Sequence, residues 1–207
     1  MIAVRELLQN ALDTVKEQIA RQRLLQQDPL DSAWHRKLGE LHKVSLVVTQ
    51  NEQGVWLICT DTGIGMTRGI IERHLLVGGS SALPEVRQLE REANACGFST
   101  ERSGQFGIGV LSYFMLADSM VITTRRSDLA GGDPEGAGCC FETDGLEGFG
   151  QLTKASRDDH GTEVRLRIRD ETDQLSATVR WGSWRASSAD SLDLSYPDEK
   201  QCVWKAN

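Results

Sequence analysis

Residues 61–66 read Asp61-Thr62-Gly63-Ile64-Gly65-Met66 and follow directly on a β-rich run at 55–60. A carboxylate at a strand end, followed by two alternating glycines, describes a loop that turns sharply and lets its backbone approach a flat ligand closely. Asp61 at such a position can accept a hydrogen bond from the exocyclic amine of adenine, and Met66 offers a polarizable contact to the ring. The same hexapeptide also reads as a glycine-stabilised turn capped by an aspartate. Its neighbours along the chain decide between the two.

Upstream, a second β-rich run at 44–49 is joined to 55–60 through Gln50-Asn51-Glu52-Gln53-Gly54, which predicts a hairpin. Before it, 2–25 read as a helix. Val4, Leu8, Ala11, Leu12, Val15 and Ile19 fall on one stripe at 3.6-residue spacing, with Glu6, Asn10, Asp13 and Glu17 on the opposite side. Asp28-Pro29 breaks this helix, and a shorter one is expected at 32–41. Downstream, Thr67 can cap a helix to about residue 77, which Gly78-Gly79-Ser80-Ser81 ends. Residues 82–103 are polar, with a short helix expected at 85–95, and read as a lid. A second glycine loop, Gly104-Gln105-Phe106-Gly107-Ile108-Gly109, opens a helix to about residue 117. Strands are expected at 119–125, 139–143, 150–155 and 162–168, with two further short ones at 177–181 and 192–196.

Successive strands without intervening helices predict an α+β fold. Residues 1–170 are the expected domain, with the lid at about 79–103. Residues 171–207 are expected to be a C-terminal extension or the start of a further segment, its tryptophans Trp181, Trp184 and Trp204 packing it onto the domain.

Charge and composition narrow the chemistry. A net charge of −7 opposes generic nucleic-acid binding, which needs a basic surface. A nucleotide remains open, because backbone N–H groups and a metal ion can hold its phosphates. No apolar run reaches the roughly 20 residues that cross a bilayer, and the start has no secretory pattern, so no membrane partner and a cytoplasmic location are expected. The five cysteines lack metal-ligand spacing, and Cys139-Cys140 reads as two ordinary strand residues. Asp158-Asp159-His160-Gly161 reads as a charged turn between strands. Arg125-Arg126 and Arg165, Arg167 and Arg169 read as strand-edge or solvent-facing charges.

On a helix, Glu6 and Asn10 are one turn apart and point the same way. The Asn amide oxygen is a suitable hard ligand for Mg²⁺, and a carboxylate one turn away can orient or deprotonate a water attacking a γ-phosphate. In isolation the pair reads more readily as a solvated polar face, so alone it is a weak signal. The 104–109 loop lacks the Gly-Lys-Ser/Thr of a P-loop and the spacing of a dinucleotide fingerprint. It fits a loop whose successive N–H groups, with a helix N-terminus, hold phosphates. The three segments together carry more than any one alone.

Residues 5–14 (Arg5-Glu6-Leu7-Leu8-Gln9-Asn10-Ala11-Leu12-Asp13-Thr14), 61–67 and 103–113 resemble the ATP-site motifs of the GHKL family, nearest to its heat-shock protein 90 chaperones. His160-Gly161-Thr162-Glu163-Val164 fits that branch as well, and the resemblance spans about 4–169. It implies the Bergerat two-layer α/β sandwich: a mixed, mostly antiparallel sheet with helices on one face and ATP between the layers. It also implies Glu6 as general base, Asn10 as Mg²⁺ ligand, and Asp61 as adenine reader, helped by Thr162 through ordered water. Gly65 and Met66 would line the base pocket. Gly104, Gln105, Phe106, Gly107, Ile108, Gly109 and Val110 would form the phosphate loop, Ser80 and Ser81 would lie near the ribose or lid hinge, and Asp13 would sit at the pocket edge.

The sequence departs from the chaperone pattern in three places. Glu6 stands at the chain's start, where the chaperones carry a preceding strand and helix that help dimerise the ATP state. Residues 77–81 lack the lysine usual there, and His74 replaces an asparagine. No second domain is expected within these residues to bring an arginine to the γ-phosphate, an element worth orders of magnitude in rate. The expected function is Mg-ATP binding with slow hydrolysis, with ATP or ADP and Mg²⁺ as ligands. Other domains or protein partners, and an ATP-dependent dimer, are the expected associations. The alternative is a nucleotide-gated interaction module that binds ATP or ADP without significant turnover. A kinase role is disfavoured by Glu6, and topoisomerase or mismatch-repair roles by the lack of a recognisable transducer domain.

Overall fold

Asn51 closes the first hairpin: its side-chain oxygen accepts the Gln53 N–H at 2.9 Å, and Gly54 takes φ +118°. That turn joins β1 (Val44–Asn51) to β2 (Gly54–Asp61) as predicted, with Val44 opposite Asp61. The computed structural model describes residues 2–26, 28, 30–75, 84–100, 109–133, 137–145 and 149–169, and the backbone of 192–193 and 202–206.

Four more strands follow: β3 (Ala117–Arg125), β4 (Gly138–Thr143), β5 (Gly150–Ala155) and β6 (Gly161–Ile168). With β7 (Leu192–Asp193) and β8 (Cys202–Ala206) they form one sheet in the order β5-β4-β3-β6-β2-β1-β8-β7. Every pairing among the described residues is antiparallel, in line with the mostly antiparallel sheet expected. The 192–196 strand shortens to β7, β8 was not foreseen, and 177–181 lies outside the described residues.

Period-two alternation decides which strand faces form the core. Met120, Ile122 and Thr124 of β3 and Leu166 of β6 are almost fully buried, while Arg165 points outward and is exposed. Removing Leu166, with no exposed surface, would cost about 2–5 kcal/mol.

Over this sheet lies α1 (Ile2–Leu24), touching β1, β2, α2 (Ser32–Leu41) and α4 (Pro84–Ala95). Leu7, Ala11 and Val15 join the core, as the apolar stripe predicted for Ala11 and Val15. On the opposite side Asp13 and Glu17 are each only 4% exposed, and α1 contacts α4 as well as the sheet. Arg21 pairs with Glu17 at 2.9 Å across one helical turn. On the side opposite the apolar stripe, Asp13 and Glu17 are thus buried, while Glu6 and Asn10 stay half-buried.

Two predicted helices change form. Thr67 caps α3 (Arg68–Ile70), accepting the Ile70 N–H, but the chain then widens into a π-helical turn at Ile71–Leu75. The segment after the second glycine loop is a 3₁₀ helix, Gly109–Met115, not an α-helix to 117, because Ala117 already begins β3. The short helix expected at 85–95 forms as α4, and that expected at 32–41 as α2, capped by Asp31 on the Ala33 and Trp34 N–H groups.

Candidate functional site

Strand register brings the key polar residues abreast. Asp61 on β2 faces Thr162 on β6, and Thr162 faces Thr124 on β3, so three side chains lie in one row across three neighbouring strands. Asp61 is 5% exposed, and one of its carboxylate oxygens accepts the Gly63 N–H at 2.8 Å and the Thr162 N–H at 3.3 Å. Burial pushes its pKa up to about 7; the hydrogen bonds of Gly63, Thr14 and Thr162 and the charge of Arg157 pull the other way and only partly offset this.

Thr124 is the hub that the sequence reading missed. Its hydroxyl accepts the Met66 N–H at 2.9 Å, donates to the Gly161 carbonyl at 3.0 Å, and lies 3.0 Å from the Thr162 hydroxyl, which must then be the donor between them. The available signal was alternation: β3 places a polar residue at a core-facing position, and a buried hydroxyl requires partners.

The loop 61–66 is pinned from every side. A Cβ added at Gly65, which takes φ +64°, would lie 1.9 Å from the Arg125 carbonyl, so only glycine fits. A Cβ at Gly63 would lie 2.4 Å from the Thr14 hydroxyl, and the Thr14 carbonyl accepts the Ile64 N–H at 3.1 Å. The Ile64 carbonyl accepts the Ser127 N–H at 2.8 Å. His160 sits 2.8 Å from the Gly63 carbonyl through Nδ1, and His42 sits 3.2 Å from that of Thr62. Burial lowers the His42 pKa, with the Thr62 carbonyl opposing and His160 adding to the shift. His160, read as part of a charged turn between strands, also braces the loop; no cluster able to hold a metal ion occurs among the described residues.

The Arg125-Arg126 reading is also corrected. Arg126 is only 3% exposed and donates to the Gly65 carbonyl at 2.9 Å and to Glu85 at 2.6 Å. Burial lowers its pKa, with Glu85 and Glu17 raising it again.

At the other end of α1, Glu6 and Asn10 abut Gly109. A Cβ there would lie 3.0 Å from a Glu6 carboxylate oxygen and 3.4 Å from the Asn10 amide nitrogen. Asn10 donates from that nitrogen to the Tyr113 hydroxyl at 2.8 Å. Its amide oxygen is thereby the group left for a metal, which fits Mg²⁺ coordination. Glu6 pairs with Arg5 at 3.1 Å on an exposed edge. Tyr113, 2% exposed, was quoted in the sequence motif but given no role; only the fold sets its hydroxyl against Asn10.

Of the other residues singled out, Asp13 is buried within α1, and Val110 packs partly buried against the core. Ser80, Ser81, Gly104, Gln105, Phe106, Gly107 and Ile108 lie outside the described residues.

No family model matches the chain. It is, however, similar to the chaperone protein HtpG of Shewanella denitrificans, 33% identical over 188 residues, covering 90% of this chain and 26% of the relative. HtpG of Shouchella clausii is 30% identical over 176 residues, covering 84% of this chain and 25% of that protein. HtpG of Citrobacter koseri is 30% identical over 200 residues, covering 97% and 30%. The chain belongs to the heat-shock protein 90-like branch of the GHKL family.

It spans about a quarter of the length of those relatives. The antiparallel sheet with helices over one face agrees with the sandwich that the GHKL resemblance implies. No helix among the described residues is long and apolar enough to cross a membrane.

Proposed function

We propose that this GHKL domain binds ATP or ADP with Mg²⁺ between its sheet and α1 and hydrolyses ATP slowly. The observation that carries this reading is convergence. Along one helix, Glu6 and Asn10 meet Gly109, and Thr14 meets Gly63-Ile64, so three segments up to about a hundred residues apart border one region.

Each side chain then has a task. One Asp61 oxygen is held by two N–H groups, and the carboxylate accepts the adenine amine beside Thr162, Gly65 and Met66. Asn10, oriented by Tyr113, presents its amide oxygen to Mg²⁺. A bound Mg²⁺ supplies charge neutralisation at the triphosphate oxygens. Glu6 orients a water for in-line attack and takes its proton as the bond to the γ-phosphorus forms and the β–γ bridge breaks to give ADP and phosphate. By the GHKL resemblance, successive N–H groups at 107–110 would hold the phosphates, and Ser80 and Ser81 would serve the ribose or hinge. By the same reading, ATP state controls contacts with further domains or protein partners, including an ATP-dependent dimer.

The test is calorimetric titration with ADP and a non-hydrolysable ATP analogue, with and without Mg²⁺. Metal-dependent binding by the folded chain is expected; no binding would overturn the reading. Phosphate release by wild type and Glu6→Ala then separates hydrolysis from binding.

A further inference from the structure

We infer that Arg126 is a positioning residue that couples docking of helix α4 to the geometry of the Asp61–Met66 loop. Its guanidinium reaches in two directions: to the Gly65 carbonyl in the loop at 2.9 Å, and to Glu85 in the first turn of α4 at 2.6 Å. The planar fork of arginine spans two acceptors at once, which a lysine ammonium does less well.

The two ends of this tie are unequal. Arg126 is 3% exposed and anchored on the loop side, whereas the Glu85 side chain is 41% exposed. The next residue, Ser127, donates its N–H to the Ile64 carbonyl, so two successive residues at the end of β3 hold two successive loop carbonyls. On the α4 side, Val86, Leu89 and Ala93 are buried, and Glu17 and Arg21 of α1 supply the nearby charge. Release of α4 from Glu85 therefore leaves the buried cation with its loop carbonyl and only the more distant charge of Glu17, and the carbonyl shifts to satisfy it.

The consequence for nucleotide affinity rests on the function proposed above. By linkage, if docking of α4 favours the binding-competent loop, nucleotide must favour docking of α4 by the same factor.

The test uses Glu85→Gln, which alters only the half-exposed end, and Arg126→Lys, which keeps the charge. Amide exchange read by mass spectrometry, without nucleotide, follows peptides covering 61–68 and 84–95, and ADP affinity is measured in parallel. Glu85→Gln should speed exchange in both peptides and weaken ADP binding about five- to tenfold, at the low end of coupling between linked sites. Adding Arg126→Lys to Glu85→Gln should change little more. Faster exchange confined to 84–95, with 61–68 unmoved, would overturn the coupling whether or not ADP binds. Coupled exchange in a chain that binds no ADP would uphold the tie and overturn the nucleotide reading.

Discussion

Replacing Asp61 by asparagine should make the protein more stable at alkaline pH while removing adenine binding. The carboxyl pKa rises from the ordinary 3.8 to about 7 in the fold, chiefly through burial. A group whose folded pKa is raised contributes stability below its unfolded pKa and loses it as pH climbs to the folded one. For Asp61 that window runs from about pH 4 to 7, and at about 1.4 kcal/mol per pKa unit the ionised carboxylate costs about 4 kcal/mol at pH 8. Asparagine keeps the oxygen that accepts from Gly63 and Thr162 but brings an amide donor to a buried site, at a cost of about 2 kcal/mol. The net gain is about 2 kcal/mol at pH 8. At pH 5, where wild type is protonated when folded, its penalty is about 2 kcal/mol and the two proteins should be nearly equal. Urea unfolding reads this as midpoints that coincide at pH 5 and differ by about 1 M at pH 8, for a denaturant slope of about 2 kcal/mol/M. Calorimetry of the same variant should show ADP binding lost. A midpoint difference unchanged between the two pH values would refute the buried ionised carboxylate, and undiminished ADP affinity would remove Asp61 from the adenine contact.

Glu6→Ala should bind ADP as wild type does and release phosphate at least about a hundredfold more slowly, at the low end for loss of a general base; equal turnover would exclude Glu6 from the reaction. Gly65→Ala, which drives a Cβ to 1.9 Å from the Arg125 carbonyl at φ +64°, should lower unfolding stability by at least about 2 kcal/mol and abolish ADP binding by calorimetry. Thr124→Val leaves the Met66 N–H without its acceptor and should cost about 1–3 kcal/mol in urea unfolding, with ADP affinity falling in parallel.

Much of this architecture was legible because it is written in local spacing. β-rich runs bounded by turn residues placed the first six strands, the 3.6-residue stripe placed α1, and Thr67 caps the helix it precedes. Resemblance of short motifs set Glu6, Asn10, Asp61 and Gly109 in the proposed site, and the fold does bring Glu6 and Asn10 against Gly109. One error came from inferring exposure from polarity: Arg126 is nearly inaccessible, because Gly65 and Glu85, both distant in sequence, supply its partners. Thr124 was overlooked because its partners Met66, Gly161 and Thr162 also come from distant segments. The 3₁₀ form of Gly109–Met115 was equally invisible, since it follows from the nearby start of β3 and not from residue preference.

The sequence by itself determined the α+β order, the glycine at 65, and the identity of the acid and amide groups available for chemistry. Tertiary structure decided which of them meet. Placing β6 between β2 and β3 aligns Asp61, Thr162 and Thr124, and docking α1 across that row brings Thr14 to Gly63 and Asn10 to Tyr113. Sheet order and helix docking are set by burial of apolar faces over the whole domain, a non-local quantity. The raised pKa of Asp61 exists only after that burial has taken its carboxylate out of water.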